Sequence, residues 1–310
     1  MRKLVLWCAS LCAIMLSFSG SQVRAQSALW VAPNGSDANA CSQTAPCATF
    51  QGAYAKGNVF QINCLGSGSY GPITITTSLT LDCGDGNVGN IVNANNSGIT
   101  IATTASATIV LRHLALNGLN NLGQGNTGIQ AFSFFSGTLI VEDCMIHGYP
   151  NGDGIFFAPN NGRGLLQVSN SQVFSNGSGI VVSPLSGQIA SVTLNSVEMV
   201  ANGSQGIALI GNGVVAGTMR YSVVGENGAS GVVASSSQVF FTVEESSIVD
   251  NLVNGIQTNS AGSIVNVGAS TIGGNGTGVL ASSGSIISFG NNQMSVNATN
   301  GRFTSTTALQ

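Results

Sequence analysis

The chain has 310 residues, of which 43% are hydrophobic and only 6% are charged, and its formal net charge is −3. Because the few Lys and Arg residues form no cluster, nucleic acid and anionic membrane surfaces are poor candidates as partners. Neutral polar residues and 42 glycines accompany the apolar ones. This composition is unlike that of a disordered chain, which is rich in charge and poor in apolar residues.

Residues 1–25 have the pattern of a secretory signal peptide. Arg2 and Lys3 precede an apolar core from Leu4 to Phe18, and a small-residue cleavage site ends at Ala25. A core of about 15 residues is short for a membrane span, and no longer apolar run follows. We therefore expect a secreted, periplasmic or cell-surface protein with no membrane span in the mature chain. The alternative is an N-terminal buried strand. Cleavage would remove three of the eight basic residues.

Five cysteines follow the predicted signal peptide. An exported protein folds in an oxidising compartment, where cysteines can form disulfides. Cys41 and Cys47 flank a short loop that a disulfide would close. Cys64 and Cys83 lie 19 residues apart, so they could sit on adjacent turns of a repeat structure. We expect Cys144 to be a free, buried thiol. A zinc site is the alternative, but no C-x-x-C pair or nearby His accompanies these residues.

Residues 26–56 differ from everything that follows them and form a predicted N-terminal cap. They contain a short strand, the sequence P-N-G-S-D-x-N, the first Cys pair and then T-F-Q-x-A. This segment resembles the N-terminal cap of secreted bacterial right-handed parallel β-helix proteins of the pectate-lyase-like superfold. The resemblance implies that residues 48–56 form a short helix over the open end of the first coil. Without a cap, a β-helix would expose apolar columns and strand edges.

From residue 57 to residue 310 the sequence repeats about every 25 residues. The anchor is a Gly followed by a β-branched residue, and from Gly154 onward the steps between anchors are 25, 27, 25, 24 and 23 residues. Two apolar columns and an Asn column recur in the same register. The anchors are Gly98, Gly128, Gly154, Gly179, Gly206, Gly231, Gly255 and Gly278; the apolar columns are Val141, Val168, Leu194, Met219, Val243, Val267 and Phe289, and Ile146, Val173, Met199, Val224, Ile248, Ile272 and Met294; the Asn column is Asn176, Asn202, Asn227, Asn251, Asn275 and Asn297, with Tyr149 as its exception.

Leucine-rich repeats, helical repeats and parallel β-helices all have units of this size. The repeats are rich in Val, Ile, Ser, Thr, Asn and Gly and poor in helix formers, and they lack the L-x-x-L-x-L-x-x-N signature. Three short strands per coil, separated by Asn and Gly turns, favour a parallel β-helix. We therefore predict an all-β, single-domain parallel β-helix of about ten coils, which the resemblance implies is right-handed.

Acidic residues in one coil are the candidate catalytic groups. The resemblance implies two or three Asp residues on neighbouring strands for a hydrolase, and a calcium-binding acid cluster with a basic residue for a lyase. The candidates here are Glu142, Asp143 and Asp153. Glu142 and Asp143 are adjacent and would face opposite sides of a regular strand, and Asp153 is at least one turn away. The N-T-D, D-D, G-H-G and R-I-K motifs of polygalacturonase-like enzymes are missing. The single Lys of the mature chain, Lys56 in the cap, also disfavours a lyase.

The same charges have a structural interpretation. In the repeat register Arg112 precedes Glu142 by one coil and Arg220 precedes Glu244 by one coil. Opposite charges on adjacent rungs form cross-strand ion pairs that stabilise by a few tenths of a kcal/mol to about 1 kcal/mol. His113 would likewise lie beside Asp143. In this interpretation Glu142 and Glu244 serve as partners of Arg112 and Arg220 and not as catalytic groups.

The residue after each Gly-Ile anchor should face outward, and several of these residues are apolar. Phe156, Val181 and Val233 are therefore candidate binding residues, since contiguous exposed apolar patches usually mark interaction sites. A covering loop or tail, or an error of one residue in the inward/outward phase, are the alternatives. The whole column is Gln130, Phe156, Val181, Ala208, Val233, Gln257 and Leu280.

Two classes of function follow from the sequence. We favour a secreted or cell-surface, non-catalytic protein that binds carbohydrate or a protein partner through its flat ladder faces. The alternative is a polysaccharide-active enzyme, a glycoside hydrolase or lyase, with Glu142, Asp143 and Asp153 as its acids. No metal or cofactor is expected from these residues, and fold alone does not decide between the two, because many activities occur on this scaffold.

Overall fold

A computed structural model describes residues 27–93, 96–103, 106–120, 126–132 and 136–307. The predicted signal peptide lies outside the described residues. The chain forms a right-handed parallel β-helix of about nine turns, close to the predicted ten. All strand pairings among the described residues are parallel, and each joins a strand to the strand one turn away. None of the helices in this part of the chain is long and apolar enough to cross a membrane.

Each turn places one strand in each of three sheets, which we number in the order in which a turn visits them. Sheet 1 contains Ser27–Val31, Val59–Cys64, Leu79–Asp82, Ser106–Arg112, Ser136–Glu142, Val214–Arg220, Gln238–Glu244 and Ser305–Thr306. Sheet 2 contains Gly68–Ser69, Gly89–Val92, Leu114–Asn117, Met145–His147, Val223–Gly225, Ser247–Val249, Thr271–Gly273 and Gln293–Ser295. Sheet 3 contains Ile73–Ile75, Ile99–Ile101, Ile129–Ala131, Asp153–Phe157, Ser178–Val182, Ile207–Leu209, Val232–Ala234 and Thr299–Gly301. Four longer strands bend at a corner: Arg163–Phe174 and Ile189–Val200 serve sheets 1 and 2, and Asn254–Gly268 and Thr277–Ser288 serve sheets 3 and 1.

The predicted apolar columns form the core. The column of sheet 1 from Val141 to Val267 stacks in register and is at most 1% exposed. The column of sheet 2 from Ile146 to Ile272 is fully buried. At the last rung the prediction is wrong by one residue, because Ser288 rather than Phe289 pairs with Val267. The final coil has less of the core to cover, so the apolar signal at its register is weaker.

Single left-handed residues make the corners of each coil. From Ser106–Arg112 to Asn254–Gly268, one such residue follows each sheet 1 segment, and its positive φ turns the chain sharply into sheet 2. From Met145–His147 to Gln293–Ser295, a second lies at the end of each sheet 2 segment, directly before the Asn column or Tyr149. The first group includes His113, Asp143, Asn170, Ser196, Tyr221, Glu245 and Ala269, and the second includes Gly148, Ser175, Ala201, Glu226, Asp250, Gly274 and Val296.

The Asn column is a continuous buried hydrogen-bond ladder, as predicted. Asn227 donates from Nδ2 to Asn251 Oδ1 at 2.9 Å and to the carbonyl of Met199 at 3.0 Å. Its own Oδ1 accepts from the backbone N–H of Asn202 at 3.1 Å and from Asn202 Nδ2 at 3.0 Å. The pattern runs from Asn176 to Asn297. Tyr149 continues it by donating its backbone N–H to Asn176 Oδ1 at 3.3 Å.

The N-terminal cap closes the first turn. Thr49 caps the helix Phe50–Tyr54 by accepting from the N–H of Gly52 at 2.8 Å. Phe50 and Ala53 of this helix are fully buried against the core. Disulfides join Cys41 to Cys47 and Cys64 to Cys83, and Cys144 is a free buried cysteine. The pairing inferred from the sequence is therefore confirmed.

The ladder supplies a direct test of what aligns the coils. Replacing Asn227 by Leu removes two donors and an acceptor. It leaves the backbone N–H of Asn202 without its partner, and the buried Asn202 amide keeps only its bond to the carbonyl of Val173. We expect the free energy of unfolding to fall by about 2–4 kcal/mol in denaturant titrations. Asn297→Leu is the matched control at the partly exposed end of the ladder, where water replaces the lost partner, and it should cost less than half as much. Equal costs would contradict a cooperative ladder.

Candidate functional site

Charged residues at the end of the sheet 1 strands form a ladder across three rungs. Asp82, Arg112 and Glu142 occupy consecutive rungs in register. Arg112 donates from Nε to Glu142 Oε2 at 2.8 Å, and its Nη1 lies 3.9 Å from Asp82 Oδ2. The predicted pairing of Arg112 with Glu142 is confirmed, as is that of Arg220, whose Nε donates to Glu244 Oε2 at 2.6 Å.

His113 and Asp143 extend this ladder at the adjoining corner. His113 Nδ1 lies 2.9 Å from Asp82 Oδ1, and its Nε2 lies 3.8 Å from Asp143 Oδ2. These side chains are between about a quarter and two fifths exposed, so water screens the charges. The arrangement pairs each carboxylate with a basic side chain. It is a surface ion-pair network in which Glu142 is the partner of Arg112.

Cys144 follows this corner but does not supply a nucleophile. It is buried, and its Sγ donates to the carbonyl of Glu142 at 3.2 Å. Burial raises the pKa of the Cys144 thiol to about 12, so it stays protonated in water near neutral pH. In the same column Ser171, Ser222, Ser246 and Ser270 donate to the equivalent carbonyls, a serine ladder that the sequence analysis did not predict. Cys144 is the thiol member of that ladder.

Asp153 lies on a different face from Glu142 and Asp143. It is the first residue of its sheet 3 strand, and the whole sheet 2 strand Met145–His147 separates it from the sheet 1 corner. The structure therefore brings Glu142 and Asp143 together and places Asp153 elsewhere. The three candidate acids do not form one catalytic group.

A shallow open groove surrounds Asp153. Ser178 lies in register with it on the next rung. Three glycines, one from each of three successive turns, bring the backbone to the floor of the groove. A Cβ on Gly177 would come within 2.6 Å of the carbonyl oxygen of Gly152, so any larger residue would push the rungs apart. The Asp153 groove is lined by Pro150, Asn151, Gly152, Asp153, Gly177, Ser178, Gly203 and Ser204 and encloses about 320 Å³.

The ionisation of Asp153 is shifted. Burial raises the pKa of this carboxyl to about 6, and its hydrogen bond with Ser178 opposes the shift. A carboxyl with this pKa is largely protonated in mildly acidic water, when ordinary Asp side chains are ionised. Asp153 is the Asp of the described residues for which burial is found to raise the pKa, and it holds its proton in mildly acidic water.

Polar side chains continue from Asp153 along sheet 3, in the position just before each Gly anchor. Asn254 donates from Nδ2 to Ser230 Oγ at 3.1 Å and to Gln257 Oε1 at 3.0 Å. Ser97 donates to Gln130 Oε1 at 2.8 Å. These residues form a polar row beside the anchor column. The row is Ser97, Thr127, Asp153, Ser178, Gln205, Ser230, Asn254 and Thr277, in which Asp153 is the only ionisable residue.

The predicted outward column lies next to this row but is less open than expected. Val181 sits between Ile180 and Val182, which are fully buried in the core, so alternation directs Val181 outward. Even so, Val181 is 6% and Val233 8% exposed. Rungs only about 4.8 Å apart let each side chain cover its neighbour in the column. Phe156, three residues from Asp153 along the same strand, is half-buried.

No set of three or more His, Cys, Asp and Glu side chains in the described ranges is placed to hold a metal ion. His147, on sheet 2, stacks on Phe174 with ring centroids 4.8 Å apart. Burial lowers the pKa of His147. The neutral form of the His147 ring is therefore favoured.

Comparisons with known proteins agree with this architecture. The A-module of the Azotobacter vinelandii mannuronan C-5 epimerase AlgE6 superposes with a TM-score of 0.56 at 20% identity, covering 79% of this chain and 70% of that one. The AlgE4 A-module gives 0.50 at 16% identity, covering 89% and 96%. The chain has a parallel β-helix fold. At this identity the likeness shows the shared β-helix fold alone. No family model and no curated protein sequence matches the chain.

The ion-pair ladder makes a testable prediction about Glu142. Glu142→Gln removes the charge that pairs with Arg112, so the free energy of unfolding should fall by a few tenths of a kcal/mol to about 1 kcal/mol at low salt. The loss should shrink near 0.5 M salt, because the charges are then screened over about 4 Å. Glu198→Gln is the control, since Glu198 accepts from the neutral amide of Gln172 at 2.8 Å. A loss at Glu142 that is independent of salt would contradict the ion pair.

Proposed function

We propose that this protein is a polysaccharide-active enzyme that binds a glycan chain along the outward face of sheet 3 and uses Asp153 as its acid–base group. The observation that carries the proposal is the raised pKa of Asp153 in an open groove. Perturbed ionisable groups in clefts are enriched at catalytic sites. Glu142 and Asp143, held in the surface ion-pair network, have no part in the proposed chemistry.

The chemistry requires a proton on Asp153 at the moment of bond cleavage. In hydrolysis, the protonated carboxyl gives its proton to the glycosidic oxygen as the bond from that oxygen to the anomeric carbon breaks. Water supplies the new oxygen on the anomeric carbon, and the proton released from the water restores the carboxyl. A pKa of about 6 suits this acid role in weakly acidic surroundings.

The rest of the face has groups that suit sugar binding. Phe156 offers an aromatic surface to the apolar side of a sugar ring beside Asp153. Ser178 and Gln205, which are half-buried, offer hydroxyl and amide groups for sugar hydroxyls. A glycan running across the rungs would meet these groups in succession, because the row continues through successive turns.

The similar solved structures favour this proposal over the non-catalytic binding protein that the sequence analysis favoured. Both A-modules are named as mannuronan C-5 epimerases, which are enzymes that act on a polysaccharide. The two disulfides fit an oxidising compartment outside the cytoplasm, where such polymers occur. Export directed by residues 1–25 is part of the proposal.

One observation keeps the non-catalytic function as a second candidate. Glycoside hydrolysis ordinarily uses two carboxyl groups flanking the bond. The described strands of sheet 3 contain no Asp or Glu besides Asp153. A binding protein would need only Phe156 and the polar row.

Asp153→Asn distinguishes the two functions. The amide keeps the shape of the carboxyl but cannot donate the acid proton, so release of sugar ends should fall by about 10²–10⁴-fold. Wild-type activity should fall as the pH rises through about 6, because Asp153 then loses its proton. Glu142→Gln is the control and should keep full activity. Cleavage that survives Asp153→Asn, or that is lost in Glu142→Gln with unchanged stability, would contradict the assignment.

A further inference from the structure

The basic side chains of this protein lie away from the proposed glycan face. Arg112 and Arg220 pair with acids on sheet 1. Lys56 donates to the carbonyl of Asp37 in the cap at 2.7 Å. Arg163, at the start of a sheet 1 strand, donates from Nε to Ser191 Oγ at 3.0 Å. Together with Arg302 these are all the Lys and Arg residues beyond the predicted signal peptide.

Arg302 follows the last strand of sheet 3 and lies at the far end of that sheet. It follows Gly301, which pairs with Val279, so Arg302 falls one rung beyond Leu280 in the outward column. Six rungs separate it from Phe156, a distance of about 29 Å. The stretches between the described ranges contain no Lys or Arg in their sequence. None of the side chains that line the Asp153 groove is basic.

This distribution of basic side chains determines which charge a bound polymer can carry. A polyuronate carries a carboxylate on each sugar, and burying a carboxylate without a cationic partner is costly. Asp153 would add repulsion whenever it is ionised, since like charges at short range oppose each other. Sugar hydroxyls need only neutral donors and acceptors, and the half-buried Ser178 and Gln205 of the polar row supply these.

We infer that the glycan bound on sheet 3 is an uncharged polysaccharide, in contrast to a polyuronate such as mannuronan. The inference rests on the proposed function for the location of the glycan, but not on cleavage. A neutral polymer leaves the proton on Asp153 undisturbed, because it brings no negative charge to the groove. The face thus disfavours charged polymers, and it recognises the glycan through contacts to sugar hydroxyls and through Phe156.

Matched polymers test the inference. Polygalacturonate and mannuronan are compared with their carboxyl-reduced forms, which keep the linkages and lose the charge, and with neutral β-glucan, xylan and galactomannan. Binding is measured by affinity electrophoresis and calorimetry near pH 7. We expect at least one neutral polymer to bind about tenfold or more tightly than either polyuronate at low salt. Tighter binding of a polyuronate, equal binding of both classes, or no binding of any neutral polymer would overturn the inference.

Two variants show where binding occurs. Phe156→Ala should weaken binding of the preferred neutral polymer about tenfold, because the aromatic surface beside Asp153 is lost. Phe240→Ala is the matched control, since Phe240 is a half-exposed aromatic on sheet 1. Weakening by Phe240→Ala with no effect of Phe156→Ala would place the glycan elsewhere and overturn the inference. Neutral binding at Phe156 without any cleavage would defeat only the enzymatic function.

Discussion

The buried amide ladder on the turn between sheets 2 and 3 holds the coils in register, and the other features of the molecule depend on that register. Each Asn side chain in the middle of the ladder satisfies its own turn and the next one, so a shift of any coil would leave several buried polar groups unpaired. Such a penalty fixes the alignment more sharply than apolar packing, which tolerates exchanges of similar size. The serine ladder on the opposite corner adds a second constraint.

The fixed register also determines which side chains become neighbours on the surface. On sheet 1 it places Arg112 one rung from both Asp82 and Glu142, so their charges neutralise one another. On sheet 3 it gives Asp153 a neutral neighbour, Ser178, on the next rung. The same type of side chain is therefore a surface ion-pair member on one face and a buried, proton-holding acid on another. Environment, more than residue type, separates the two roles.

Much of the fold could be predicted from the sequence because each sequence repeat corresponds to one coil of the stack. The Gly anchors, the Asn column and the apolar columns each mark a position that every coil must fill alike. The Arg112–Glu142 pair followed from the same register. How little of Val181 is exposed, and how far Asp153 is buried, could not be predicted. Both depend on side chains from adjacent rungs and on the turns that border the groove. Phe289 shows the limit of the repeat, because the chain reaches the register of Val267 one residue earlier, at Ser288.

The account of function depends on the protonation of Asp153, which can be measured directly. A ¹³C NMR titration of the Asp153 carboxyl carbon, assigned by comparison with Asp153→Asn, follows this group through the pH range in the intact protein. The structure predicts a midpoint near pH 6, because burial outweighs the hydrogen bond from Ser178. A midpoint at or below the ordinary value of about 4 would show an ionised, solvated carboxylate and would contradict an acid role for Asp153.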